Sequence, residues 1–189
     1  MPLTINFELS DRDIEHFVAM GRDAQKAVTE KRKSTDEIAA AARGIVEACE
    51  GVELPEFIST RLEKLGILAD IVTDSEWQLP AEDLERVLSA MCYFADPDDL
   101  IPDRVPGIGF LDDAIMAELV VKDLEHEISA YKDFCTYRRA EEERRRARGD
   151  TTDVSREEWL ADTRAALQSR MRERRRSRAS SGSWRVRLW

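Results

Sequence analysis

Three serines in this chain are each followed, three residues on, by an acid, and each pair heads an apolar run with helical spacing. Ser10 with Asp13, Ser34 with Glu37 and Ser155 with Glu158 read as capping boxes, in which each side chain takes the other residue's backbone N–H. Leu9 with Ile14, and Val154 with Trp159, occupy the hydrophobic-staple positions around the first and third. Pro55 and Pro80 suit the first turns of two further helices, where a missing N–H costs nothing. With only 8 glycines and 6 prolines to make turns, the chain argues against an all-β fold of many hairpins.

The apolar stripes extend those starts. Ile14, Phe17, Val18, Gly21, Ala24 and Val28 recur at helical spacing after the first box. The second helix runs to about Ala48, with Gly51 placed to cap its end. Phe57, Ile58, Leu62, Leu65, Leu68 and Ile71 mark a third, and Leu84, Val87, Leu88 and Met91 a fourth. One long helix is predicted from about Phe110 to beyond Tyr137, carrying Leu111, Ile115, Leu119, Val120, Leu124, Ile128, Tyr131 and Cys135. It continues into Glu141–Arg146, which has favourable i,i+4 pairs but no apolar face, and so reads as a solvated extension. Gly149–Asp153 breaks it, and a last helix runs from the third box to near Arg178. The expectation is an all-α compact bundle over residues 1–137, a charged helical extension over 138–178, and a flexible Arg/Trp tail over 179–189.

Charge divides the chain at nearly the same place. Residues 138–189 hold 16 arginines against 9 acids, a net of +7, so the overall −10 leaves −17 on residues 1–137. Such a body repels nucleic acid and anionic lipid, and only the C-terminal part attracts them. Cys49, Cys92 and Cys135 are odd in number and form no CxxC pair, which fits buried thiols in a reducing cytoplasm. The N-terminus has no basic stretch followed by an apolar core, so no signal peptide is expected there. No apolar run approaches the length needed to span a bilayer.

The segment Tyr93–Asp113 stands apart. It gathers Pro97, Pro102, Pro106, Gly107 and Gly109 with six aspartates between two helical stretches. Asp96, Pro97 and Asp99 suit a short capped turn, Pro102 stops it, and Pro106–Gly107 turns the chain again. Leu100, Ile101, Val105, Ile108, Phe110 and Leu111 are expected to face inward and pin a helical hairpin to the core. The pattern Pro-x-Asp-Leu-Ile-Pro-Asp, then Pro-x-x-Gly-x-Leu-Asp-Asp, resembles the YkvA-type domain, a bacterial family of unknown function, over about residues 88–119. The resemblance implies a compact helical hairpin and supplies no reaction. It marks Asp99, Asp103, Asp112 and Asp113 as the matching acids. Asp98 and Arg104 stand where the family usually has apolar residues. The continuation Lys122–Glu127 replaces the hydrophobic segment that many members carry.

Those four aspartates have three readings. They cap helices and turns, or converge on a divalent cation such as Mg²⁺ or Ca²⁺, or form an acidic patch for a partner. Asp112 and Asp113 are about 100° apart on a helix, so one of them is expected to face the hairpin. Asp13 to His16 and Asp123 to His126 repeat a carboxylate–imidazole spacing of i,i+3, but both histidines lie off the apolar stripes and are expected to face water. No nucleophile stands beside either histidine, and no Gly-rich phosphate loop occurs, so no organic cofactor or catalytic residue is expected.

At the C-terminal end, Arg174, Arg175, Arg176, Trp184, Arg185, Arg187 and Trp189 form the candidate contact. Guanidinium and indole side chains are good anchors for a partner. A protein partner, or this chain's own acidic body or that of a second copy, ranks above nucleic acid. An anionic membrane surface touched by the tail is the peripheral alternative. The sequence therefore points to a cytoplasmic, non-enzymatic interaction or regulatory module. A divalent-metal-dependent hydrolase using the hairpin aspartates is the alternative.

Overall fold

The computed structural model describes residues 8–96, 101, 105, 108–149 and 156–180. Among them the chain forms seven α-helices and one 3-10 turn, and no strand occurs among the described residues. In order these are α1 (Asp11–Glu30), α2 (Thr35–Ala48), α3 (Glu56–Thr73), α4 (Ala81–Met91), the turn Cys92–Ala95, α5 (Leu111–Asp123), α6 (Glu125–Arg148) and α7 (Arg156–Ser180). The fold is all-helical, as the capping boxes and stripes require. Both describable boxes are closed. Asp13 takes the Ser10 N–H at 2.8 Å and Glu37 takes the Ser34 N–H at 2.7 Å. Hydrogen bonds from those serines hold both carboxyls below their ordinary pKa. The Ser155–Glu158 box, the turn at Asp96–Asp99 and the Pro106–Gly107 turn involve residues outside the described set.

The core is organised on α3, which packs against α2, α4, α5 and α6. Leu62, Leu65, Leu68 and Ala69 are essentially inaccessible to solvent. Burying each such leucine contributes on the order of 2 kcal/mol. Opposite them α5 presents Ala114, Met116, Ala117 and Val120, all at 0% exposure. Two alanines on that face let the helices approach closely. Leu160, Leu167 and Met171 of α7 join the same apolar cluster, so the core continues into the C-terminal arginine-rich helix.

Two expectations meet differences. The helix predicted from Phe110 past Tyr137 is two helices, broken at Leu124 (φ −99°, ψ 20°). Guanidinium groups cause the break. Arg86 donates to the Asp123 carbonyl at 3.2 Å and Arg178 to the Lys122 carbonyl at 3.1 Å, drawing the last carbonyls of α5 out of the ladder. The stretch Glu141–Arg146 is not freely solvated, because α7 folds back along α6. Arg145 lies over the Trp159 ring at 5.2 Å and accompanies Tyr137, 5.8 Å from the same ring. Gly149 ends α6 at φ +72°, a left-handed conformation that glycine adopts at no cost.

Candidate functional site

The hairpin is built on the turn Cys92–Ala95, whose four residues are buried, with the Tyr93 and Phe94 rings edge-to-face at 5.5 Å. Phe110 then leads into α5. Asp112, in the first turn of α5, is 1% exposed and accepts from the Tyr93 hydroxyl at 3.3 Å and the Ile101 N–H at 3.0 Å. One carboxylate oxygen thus ties the turn, the connecting segment and α5 together. Asp113, expected to face away if Asp112 faces in, is also buried at 4%. The reason is that α5 has protein all around its first turns: Ala114, Ile115, Met116 and Ala117 are buried in succession. Ile108, expected to pack inward, is 49% exposed, and Phe110 takes the inward place two residues later. Asp99 and Asp103 lie outside the described residues, and no group of three potential metal-ligating side chains occurs among the described residues.

A second set of buried acids lies where α4, α6 and α7 meet. Asp83 and Glu127 are each 1% exposed. Arg175 donates one nitrogen to Asp83 at 2.7 Å and to Glu127 at 3.0 Å. Arg172 reaches Asp83 at 3.3 Å, and Arg86 lies 3.4 Å from Glu127 while bonding Asp123 at 2.7 Å. Burial pulls the Arg175 pKa down, but its hydrogen bonds to the Asp83 and Glu127 carboxylates reverse that and leave it raised. Burial pushes Asp123 up, with Arg86 opposing. Unpaired buried charges are strongly unfavourable, so this cluster holds only while α7 is in place. The sequence reading missed Asp83, Glu127, Arg86 and Arg172.

The α3–α4 loop is fixed in the same way. Asp74 caps the Glu76 and Trp77 amides with one oxygen and accepts from Tyr131 at 3.0 Å and Arg138 at 2.9 Å with the other. Gln168 and Arg164 of α7 donate to the Trp77 and Glu76 carbonyls at 2.8 Å. Trp77, fully buried against Phe134 and Tyr131, therefore sits beneath α7.

The remaining candidate residues scatter. Arg174 and Arg176 are exposed on α7, whereas Arg175 between them turns inward. Trp184, Arg185, Arg187 and Trp189 lie outside the described residues. His16 is exposed as expected, and Asp13 beside it serves its capping box. His126 departs from expectation: only 19% of its side chain is exposed, because α7 crosses the first turn of α6. Burial raises the Cys92 thiol to about 11, so it stays protonated.

With this geometry in hand, the comparison with known families is narrow. Residues 86–119 match a family described as a protein of unknown function, DUF1232. That span begins at Arg86 of the ion cluster, contains the whole hairpin and ends inside α5, consistent with the YkvA-type resemblance carried by the aspartate and proline pattern. The DUF1232 match supplies a segment of fold and no activity. No curated protein and no solved structure matches the chain. Among the described residues no helix is long and apolar enough to cross a membrane.

Proposed function

We propose that this chain is a non-enzymatic interaction or regulatory module, with the hairpin as a rigid element and the arginine-rich C-terminal region as its contact. The observation that carries the reading is Arg175 bridging the buried Asp83 and Glu127. Buried acids on α4 and α6 together receive a basic helix that also buries Leu167 and Met171, as in recognition of amphipathic helices. That helix is the chain's own α7, whose exposed arginines continue toward the tail. The test is capture from native lysate on the full chain, beside a chain lacking residues 179–189. A specific partner retained by the full chain and lost on deletion supports the reading. Equal retention by both removes the tail as the contact, and no specific retention sinks the reading.

A second reading, a divalent-cation-dependent hydrolase using Asp99, Asp103 and Asp112, gains one observation: Asp112 and Asp113 are both buried in the hairpin. Hard cations favour clustered carboxylate oxygens. Calorimetry with Mg²⁺, Mn²⁺ and Ca²⁺ tests it, and heat that vanishes in Asp112→Ala would favour it. No heat at millimolar ion removes it.

A further inference from the structure

The docking of α7 leaves part of its basic surface unused. Arg170, Arg174 and Arg178 recur every four residues and line, with His126, an open groove of about 840 Å³ beside the first turn of α6. Arg170 and Arg174 are exposed and make no ion pair among the described residues. Like charges at this spacing repel one another, so the face gains from an added anion.

The protein already places an anion in this groove. The Glu125 carboxylate lies 2.6 Å from Arg178 Nη1 and 3.6 Å from His126 Nε2. That ring nitrogen is buried and has no hydrogen-bond partner among the described residues, a state that costs free energy until an acceptor reaches it. Glu125 is 50% exposed and Arg178 is 45% exposed. Exposed pairs of this kind contribute little, so the carboxylate can turn away into water and leave its place to a better acceptor.

We propose that the groove binds a single phosphate group, which replaces the Glu125 carboxylate between Arg178 and His126 and is gripped from the open side by Arg170 and Arg174. A tetrahedral dianion has enough oxygens to accept from several guanidinium groups at once, which one carboxylate does not. Glu173 on the rim and the −17 body beyond it oppose any extended polyanion, so the ligand is inorganic phosphate or a small soluble phosphomonoester. This site shares the exposed arginines of α7 with the contact proposed above but uses none of residues 179–189, so deleting the tail leaves phosphate binding in place while removing that contact.

The experiment is a titration of the full chain with sodium phosphate, against sodium chloride at equal ionic strength, following the arginine side-chain N–H signals and the His126 ring by NMR. Saturable shifts at Arg170, Arg174 and His126 with phosphate alone are expected. The Glu125→Gln variant, freed of the competing carboxylate, binds several-fold tighter. Arg170→Gln combined with Arg174→Gln binds about tenfold weaker, with helical circular dichroism unchanged. Equal shifts with chloride, or an affinity that Glu125→Gln leaves the same, overturn the proposal. So does sedimentation with phosphatidic-acid vesicles in the absence of any saturable response to free phosphate.

Discussion

Asp112 and Asp83 are each 1% exposed, and each sits in the first turn of a helix, yet the donors described for them come from very different distances along the chain. Among the described residues, Asp112 accepts from donors close in sequence, a tyrosine hydroxyl 19 residues away and a backbone N–H 11 residues away. Asp83 is held by guanidinium groups 89 and 92 residues away. The first arrangement, through its described donors, locks one local segment. The second exists only when a distant helix is docked. A protein built this way has one part fixed by its own loop and another that is stable or strained according to where α7 sits.

Removing the cation breaks the comparison most sharply. Arg175→Ala leaves two buried carboxylates without their shared guanidinium, with Arg172 and Arg86 the remaining cations beside them among the described residues. The expected loss is about 3 kcal/mol of unfolding free energy, measured by chemical denaturation. Arg174→Ala, one position along and exposed, is expected to stay within about 0.5 kcal/mol of the parent. Equal losses in the two would mean that the buried cluster does not hold α7. Hydrogen exchange adds a readout of position: in Arg175→Ala the amides of α7 lose protection well before those of α3.

The corresponding change in the hairpin is smaller. Asp112→Ala removes the acceptor of the Tyr93 hydroxyl and the Ile101 N–H, at a cost of about 2 kcal/mol. Made in a Tyr93→Phe background, the same change costs less, since one of the stranded donors is already gone. Strict additivity of the two substitutions would show that the 3.3 Å contact carries no energy. Exchange protection in α7 is expected to be untouched by either, which is what separates the two regions.

How much of this was legible follows the same division. The helices announce themselves locally, in Ser10 with Asp13, Ser34 with Glu37, and the prolines at 55 and 80. The hairpin was visible because its prolines and aspartates lie within one short window. The ion cluster was not, although its members carry a signal: Asp83 shares a face with Val87, Ala90 and Met91, and Arg175 follows Met171 by one turn on the buried stripe of α7. A charge on an apolar stripe marks a buried charge that needs a partner, but the sequence does not say which. The break at Leu124 was illegible for the same reason, since its causes are arginines 38 residues before it and 54 after it.

Salt sharpens the difference at a lower level. The Arg178–Glu125 pair is half-exposed and screened, whereas the contacts of Arg175 are enclosed. Glu125→Gln is therefore expected to cost under about 1 kcal/mol at low salt and nothing measurable at molar salt. The Arg175→Ala deficit persists at both. A deficit in Arg175→Ala that salt abolishes would reclassify the cluster as a surface feature.

The smallest effect is one of sign. Burial raises the Asp123 pKa above its ordinary 3.8, so the folded protein holds that proton more tightly than the unfolded chain. The stability this contributes is complete below 3.8 and is lost as pH rises through the raised folded value. Asp13 and Glu37 run the other way. Their carboxyls are lowered from 3.8 and 4.5, so their contribution is present above those values and is lost as pH falls through the lowered ones. Denaturation midpoints followed from pH 3 to 7 separate the two. Asp123→Asn removes a decline on the rising side, just above 3.8, and leaves the acid limb alone. Ser34→Ala, which opens the second capping box, removes part of the acid limb and leaves the rising side alone. If Asp123→Asn instead steepened the acid limb, Asp123 would be held by Arg86 more strongly than burial penalises it, and the charge at the α5–α6 break would belong with the paired carboxylates of the cluster.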